Sequence, residues 1–409
     1  MRQSIATGTT TARELGLGTI PVWSWLPAAE IESGALEQIT NLAKLPSAVH
    51  VAVMPDCHVG YGMPIGAALG TKDTVVPYAV GVDIGCGMIA VQTDIPHDAA
   101  NVDRVRATLL RIYELVPVGQ PTKADRGSGS FSERQDSKVM RRWTNDRASR
   151  LPKGSEVSER GDHQVGTLGG GNHFIELQTD GKTLWLMLHT GSRAFGKFIC
   201  DRYHETALRW CERYYAPIPH KELAFLSLDT DDGRDYLIDM GFAMRFAEES
   251  RKRIRDRSLS AIEETFGAFT VGIDIETHHN FAAREKHMGK DVVVHRKGAV
   301  KTGEGLVTIP GSMQTGSYIA EGIANRLALD TCSHGAGRKL GRGAVRRANV
   351  GVDIRSEMEA EGVILVCPPE SDALDEAGRA YKDIESVMAY QSDLARPVHS
   401  LRPLGVVKG

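Results

Sequence analysis

Short apolar segments cut by glycine and proline dominate the first hundred residues: VHVAVMPD, IGAALGT, TVVPYAVGVDIGCG and MIAVQT. Runs of β-branched and small apolar residues closed by turn formers favour strands and tight turns. Asp83 to Cys86 of GVDIGCG are therefore expected at a strand end. From about Asp103 to Val116 the apolar residues recur at helical spacing. The pattern then fails in PTKADRGSGSFSERQDSK, which is polar and rich in Gly and Ser and predicts a surface loop or insertion around 119–160. IELQ and LWLMLHTGS restore strand character, with His189 at the exit of the second. Between Asp235 and about Phe266 apolar residues return at helical intervals among Arg, Lys and Glu, which predicts one long amphipathic helix or two. Its RKRIRDR run is read as a solvated helix face in preference to an RNA contact. No internal repeat or low-complexity tract stands out.

A chain of 409 residues can bury a large core and permits one to three domains. The formal charge of −3 excludes a polycation, so any nucleic-acid surface has to be a local patch. Six scattered cysteines, none in a CxxC pair, fit reduced thiols rather than a disulfide framework. The start MRQSIATG lacks an apolar signal region, and no apolar run approaches the roughly 20 residues of a spanning helix. A soluble, cytoplasmic protein without membrane contact is expected.

The candidate chemistry lies in Gly- and Asn-bordered signatures. Asp83 and Cys86 sit three apart in GVDIGCG; His173, His189, His279 and His334 stand in GGGNHF, LHTGSR, THHN and SHGAG. Thiolate, carboxylate and imidazole together suit a transition-metal centre, and one bridging thiolate could serve two ions. The bland reading of Cys86 is a core thiol, and of Asp83 a turn cap. His278 and His279 are adjacent, so on a strand they point to opposite faces and only one can be a ligand. The Gly-rich stretch before His173 offers backbone N–H groups to an anion, but matches no established phosphate-loop spacing. His334 lies in an open loop followed by Arg338, Lys339, Arg342, Arg346 and Arg347. This suits either a nucleophile towards phosphorus or a further metal ligand, and the basic cluster either a phosphate-backbone contact or a solvated face. Asp56, in PDCHVGYG, is placed to orient a histidine through its other ring nitrogen. Cys57, Cys200, Cys211, Cys332 and Cys367 are read as packing or surface thiols. Motif residues run from Asp56 to His334, so they meet only if most of the chain folds as one unit.

MPDCHVGYG, GVDIGCG, GTLGGGNHFIEL, LHTGSR, HHN, RKGA, IPGSM, SHGAGR, AYKDIESVM and the closing VVKG together resemble the RtcB family of GTP-dependent RNA ligases, in family order and over nearly the whole chain. The resemblance implies one α+β domain over 1–409, with a β-rich core, flanking helices and a deep cleft holding two Mn²⁺ ions, although Zn²⁺ could occupy it as prepared. It also implies joining of RNA carrying a 3′-phosphate or 2′,3′-cyclic phosphate to a 5′-hydroxyl end, in tRNA splicing or RNA repair, and it leaves room for an archease-like activator. By the same resemblance Asp83, Cys86 and His173 would hold one ion, and Cys86, His189 and His279 the other. His334 would take GMP from GTP, with Asp56 orienting it. The nucleotide would be held by Asn172, His173, Phe174, Ile175 and Glu176, by His279 and Asn280, by Pro310, Gly311, Ser312 and Met313, by Ser317, by His334, Gly335, Ala336 and Gly337, and by Tyr381 and Lys408. Three departures from the family pattern are Gln314 after IPGSM, HGAGRKLGRG in place of the commoner HGAGRVMSR, and Cys57 in place of an apolar residue. None removes a nominated ligand or the nucleophile. Two other classes remain: a metal-dependent phosphodiesterase that only opens cyclic phosphates, and a catalytically silent RNA-binding relative.

Overall fold

The apolar segments of the first hundred residues become strands buried on both faces, which is why they read as continuous runs rather than alternations. A computed structural model of the protein describes residues 11–118, 137–147, 156–369, 371 and 373–409. Ala48–His58 and Ile65–Thr71 pair antiparallel at the centre of a six-stranded sheet. Its order is Arg13–Glu14, Val22–Ser24, Ala48–His58, Ile65–Thr71, Lys290–Lys297 and Asn280–His287. A second, eight-stranded sheet runs Val271–His278, Gly87–Pro96, Thr183–Thr190, Phe174–Thr179, Ala395–Lys408, Ser317–Gly322 and Leu306–Ile309, with Ile364–Val366 parallel to Ala395–Lys408. The chain is thus mixed α/β with a sheet-rich core. Val271–His278 ends one sheet and Asn280–His287 ends the other, so His279 alone spans the seam between them.

Helices cover the sheets. Val102–Leu115 begins at Asn101, whose side chain accepts from the Arg104 N–H at 3.0 Å. The charged segment expected as one or two helices is a single helix, Asp231–Phe266, of 36 residues. Thr230 caps its N-terminus by accepting from the Gly233 N–H, Asp231 and Asp232 sit in its first turn, and Gly267 ends it at a φ of 83°. Its buried stripe runs through Met240, Ala243, Ala247, Arg251, Ile254 and Ser258. At 3.6 residues per turn Arg251 falls on that stripe, so RKRIRDR is not a uniformly solvated face. Arg251 is 0% exposed, whereas Lys252 and Arg255 face outward and pair with Glu248 and Asp274.

Two further expectations change. The short segment Pro77–Val80 is a helical turn with proline at its first position, not a strand. Within the stretch expected as a loop or insertion around 119–160, the described segment Lys138–Arg147 is a helix that packs Trp143 into the core, where its indole N–H donates to Asp239 at 3.2 Å. Most of the polar stretch PTKADRGSGSFSERQDSK lies outside the described residues. All six cysteines are buried, so none is a surface thiol.

Candidate metal centre and nucleotide cavity

Antiparallel pairing brings the nominated ligands together. Val271–His278, Gly87–Pro96, Thr183–Thr190 and Phe174–Thr179 are consecutive neighbours. His279 follows the end of the first, Cys86 precedes the start of the second, His189 is near the end of the third, and His173 precedes the start of the fourth. Because direction alternates from strand to strand, end, start, end and start all fall on one edge of the sheet. The register confirms the alignment: Gly87 opposes both His278 and Thr190, and His189 opposes Met88 and Phe174.

Cys86 Sγ lies 3.2 Å from His189 Nε2 and 3.6 Å from His173 Nε2, and these three buried side chains could hold an ion. Such separations suit donors bound about 2.0–2.3 Å from a common cation. His189 Nε2 is also 3.2 Å from His279 Nε2, and His173 Nε2 is 3.1 Å from Asp83 Oδ2. His189 Nδ1 donates to the Asn172 carbonyl at 3.0 Å, which leaves Nε2 bare and facing the cluster. His279 Nδ1 is buried with no hydrogen-bond partner. Burial drives His173 below the ordinary histidine pKa, and His189 and His279 well below it; neighbouring histidines add to the effect on the latter two. All three are therefore held as neutral imidazoles, the form that donates to a metal. Burial and the Asp83 charge push the Cys86 thiol up, so thiolate there calls for a cation. Asp83 accepts from the Ser192 N–H at 2.8 Å, and a Cβ at Gly191 would come within 2.3 Å of its carboxylate oxygens. Of the HH pair, His278 is turned away, its Nδ1 accepting from Arg251 at 2.9 Å.

His334 follows the strand Thr331–Ser333 and lies at the other side of His279, ring centroids 4.9 Å apart and planes tilted by 56°. One oxygen of the fully buried Asp56, Oδ2, accepts from both the His334 backbone N–H at 3.1 Å and its ring Nδ1–H at 2.7 Å. With Nδ1 protonated, Nε2 carries the free lone pair. His334 lines a cavity of about 350 Å³.

Asn172, Phe174, Glu176, His189, Pro310, Gly311, Ser312, Met313, Ser317, Gly335, Ala336, Gly337, Tyr381 and Lys408 share that wall. His173 and His279 stand behind it, in the ligand cluster. Ile175 is not brought to the cavity: its neighbours alternate inward, and its own side chain packs in the core with Leu177, Leu186 and Leu188 on the other face. Nor does Asn280 line it, since its amide donates to the Asp83 carbonyl at 2.9 Å and accepts from the Gly298 N–H at 2.8 Å. Burial raises Glu176 to about 7 against the hydrogen bond from Gln178 and the charge of Lys408. Lys408, lowered by burial, donates to the Gly171 carbonyl at 2.7 Å.

Sequence reasoning did not nominate Glu32, Leu340 or Glu376, and gave no role to His58 of PDCHVGYG; all four also line the cavity. Glu376 binds Arg338 and Arg342, each at 3.1 Å, and accepts from the Tyr381 hydroxyl; Arg346 pairs with Asp375 at 3.1 Å. Three of the five residues of the basic cluster are therefore committed to an acidic pair that no motif announced. Of the departures, Gln314 accepts from the Gly378 N–H at 2.7 Å and donates to Glu361 at 3.0 Å, outside the cavity. Cys57 is buried in the core, its thiol pushed by burial to about 12. Only the altered Lys339–Gly341 segment reaches the cavity wall, through Leu340 and Gly341.

Fold and site together define a mixed α/β protein with a buried Cys–His cluster that could hold a metal, next to a carboxylate-held histidine in a cavity of this size. A family profile described as tRNA-splicing ligase RtcB matches residues 38–409. The chain belongs to the RtcB family. It is 34% identical over 411 residues to the RNA-splicing ligase RtcB of Escherichia coli K12, covering 95% of this chain and 97% of that protein. It is 35% identical to the RNA-splicing ligase RtcB1 of another Escherichia coli strain, covering 95% and 97%. With the tRNA-splicing ligase RtcB of Methanococcus maripaludis it shares 28% identity, over 93% of this chain and 92% of that protein. Among the described residues no helix is long and apolar enough to cross a membrane.

Proposed function

We propose that this protein is a GTP-dependent RNA ligase, one catalytic domain over 1–409, that joins a 3′-phosphate or 2′,3′-cyclic phosphate end to a 5′-hydroxyl end in the cytoplasm, in tRNA splicing or repair. The observation that carries the reading is His334: its Nδ1 proton is fixed by Asp56, its Nε2 is bare, and it stands between the ligand cluster and the cavity. A phosphodiesterase that only opened cyclic phosphates would need the cluster but not a histidine prepared in this way.

Nε2 of His334 attacks the α-phosphorus of GTP and pyrophosphate leaves, giving an N–P bond. Positive charge gathering on the ring is met by the Asp56 carboxylate. An oxygen of the RNA 3′-phosphate then attacks the same phosphorus, the N–P bond breaks, and the imidazole returns to its starting form. The 5′-hydroxyl displaces GMP from the activated end. Phe174, Glu176, Tyr381 and Lys408, with the Pro310–Met313 loop, hold the nucleotide. Asp83, Cys86, His173, His189 and His279 would hold two divalent ions, Mn²⁺ suiting the mixed donor set and Zn²⁺ competing for it. Bound there, the ions would offset charge on phosphoryl oxygens and acidify the water that opens a cyclic phosphate. RNA and GTP are the partners of this reading, with an archease-like activator as a further one.

The test is incubation with Mn²⁺ and α-labelled GTP. Acid-labile covalent label that is absent in His334→Ala is expected. Opening of a cyclic phosphate without any label would replace the ligase with the phosphodiesterase, and neither activity would leave a silent RNA-binding protein.

A further inference from the structure

The charged run RKRIRDR contains one charged side chain that the proposed reaction does not use and that solvent does not reach. Arg251 is 0% exposed. Its Nη1 donates to the carbonyls of Gly85 at 2.8 Å and Thr190 at 3.1 Å, its Nη2 to His278 Nδ1 at 2.9 Å, and its Nε to Glu276 at 2.8 Å. Gly85 precedes Cys86, Thr190 follows His189, and His278 precedes His279. We propose that Arg251 is a positioning residue that locks three neighbouring strand ends together, and so sets the separation of Cys86, His189 and His279. This inference rests on the reading of those side chains as a metal centre.

Two observations beyond the hydrogen bonds support it. A Cβ at Gly87 would come within 3.2 Å of the guanidinium carbon and 2.2 Å of the Thr277 carbonyl, so the last glycine of GVDIGCG leaves room for this guanidinium. A Cβ at Gly85, which has a φ of +71°, would meet Met244 Cα at 2.7 Å, seating the same loop on the same helix two turns earlier. The planar fork matters as well. A guanidinium presents donors in several fixed directions, whereas an ammonium of the same charge radiates three from one point. Burying a cation is costly unless its donors are satisfied, and here they are satisfied by chain segments bearing nominated ligands. None of these contacts touches the cavity, so the role is one of geometry, not of substrate recognition.

Cobalt(II) is the probe, because thiolate-to-cobalt charge transfer and ligand-field bands report Cys86 and the coordination geometry without turnover. Metal-free wild type, Arg251→Lys, His278→Ala and His278→Asn are titrated, and folding is followed separately by far-UV circular dichroism and melting. Wild type is expected to show the sulfur band. Arg251→Lys and His278→Ala should bind about 10- to 100-fold more weakly, the usual cost of losing a group that orients ligands, with changed ligand-field bands. His278→Asn, whose amide oxygen can accept where Nδ1 did, should restore most of the affinity; were His278 itself a ligand, it would not. A folded Arg251→Lys with wild-type affinity and spectrum would overturn the proposal. Should that variant not fold, His278→Ala binding cobalt as tightly as wild type overturns it instead. Wild type that takes up no cobalt would remove the metal centre, and this inference with it.

Discussion

A single carboxylate oxygen, Oδ2 of Asp56, accepts from both the backbone and the ring of His334. The first contact fixes the loop and the second fixes which ring nitrogen is free to react. Asp56→Asn preserves size but can present an N–H to Nδ1, which favours the opposite tautomer with Nε2 protonated. The rate of covalent labelling by GTP should fall by about 10²- to 10⁴-fold, as for a lost proton-handling partner, with cobalt uptake unchanged. Labelling at the wild-type rate would end the orienting role. At this scale the sequence was most legible for residues in short glycine-bordered signatures, since Asp56, Asp83, Cys86, His189 and His334 each announce themselves locally. Arg251 was hidden because it and its five charged neighbours in RKRIRDR share one description, and only the helix phase tells the buried arginine from the others. Ile175 was nominated within a continuous stretch although strand alternation turns it away from its neighbours.

At the level of elements, the strands Asn280–His287 and Lys290–Lys297 carry an ion pair that supports the site from behind. The fully buried Arg296 binds both oxygens of Glu285, at 2.6 and 3.0 Å, and also the Leu329 carbonyl and Thr331 hydroxyl. It thereby fastens the segment that leads into His334. Burial alone would raise the Glu285 pKa, but hydrogen bonds from His287 and Arg296, with the Arg296 charge, bring it down to about 2. A depressed carboxylate contributes stability that is fully present above its ordinary value of 4.5 and is lost as pH falls from there towards 2. The contribution is at most about 3 kcal/mol. Urea unfolding of wild type should show this loss across that interval, and Glu285→Gln should be less stable at neutral pH and flatter in acid. Equal acid slopes in the two proteins would sink the assignment. Helix periods and strand runs were readable here. Strand order was not, because pairing of segments as distant as Gly87–Pro96 and Val271–His278 is set by tertiary register rather than by local pattern.

Taken whole, a molecule with a net charge of −3 has to gather RNA with a restricted set of cations. The cluster after His334 is the candidate set, yet Arg338 and Arg342 are drawn to Glu376 and Arg346 to Asp375, with Arg346 still 56% exposed. Pairing of this kind lowers the charge the cluster shows to solvent, so it cannot act as five free cations would. This pairing was not legible in the sequence because Asp375 and Glu376 lie some thirty residues downstream in a stretch with no recognisable motif. Replacing Arg346 and Arg347 together should therefore weaken RNA binding and reduce the dependence of log affinity on log salt. For single-stranded RNA each phosphate contact contributes about 0.7 to that slope. The double variant should lose between about 0.7 and about 1.4, the lower figure applying if Asp375 keeps Arg346 from the phosphate. Binding isotherms across a salt series decide it, and a slope identical to wild type would place the RNA on another face.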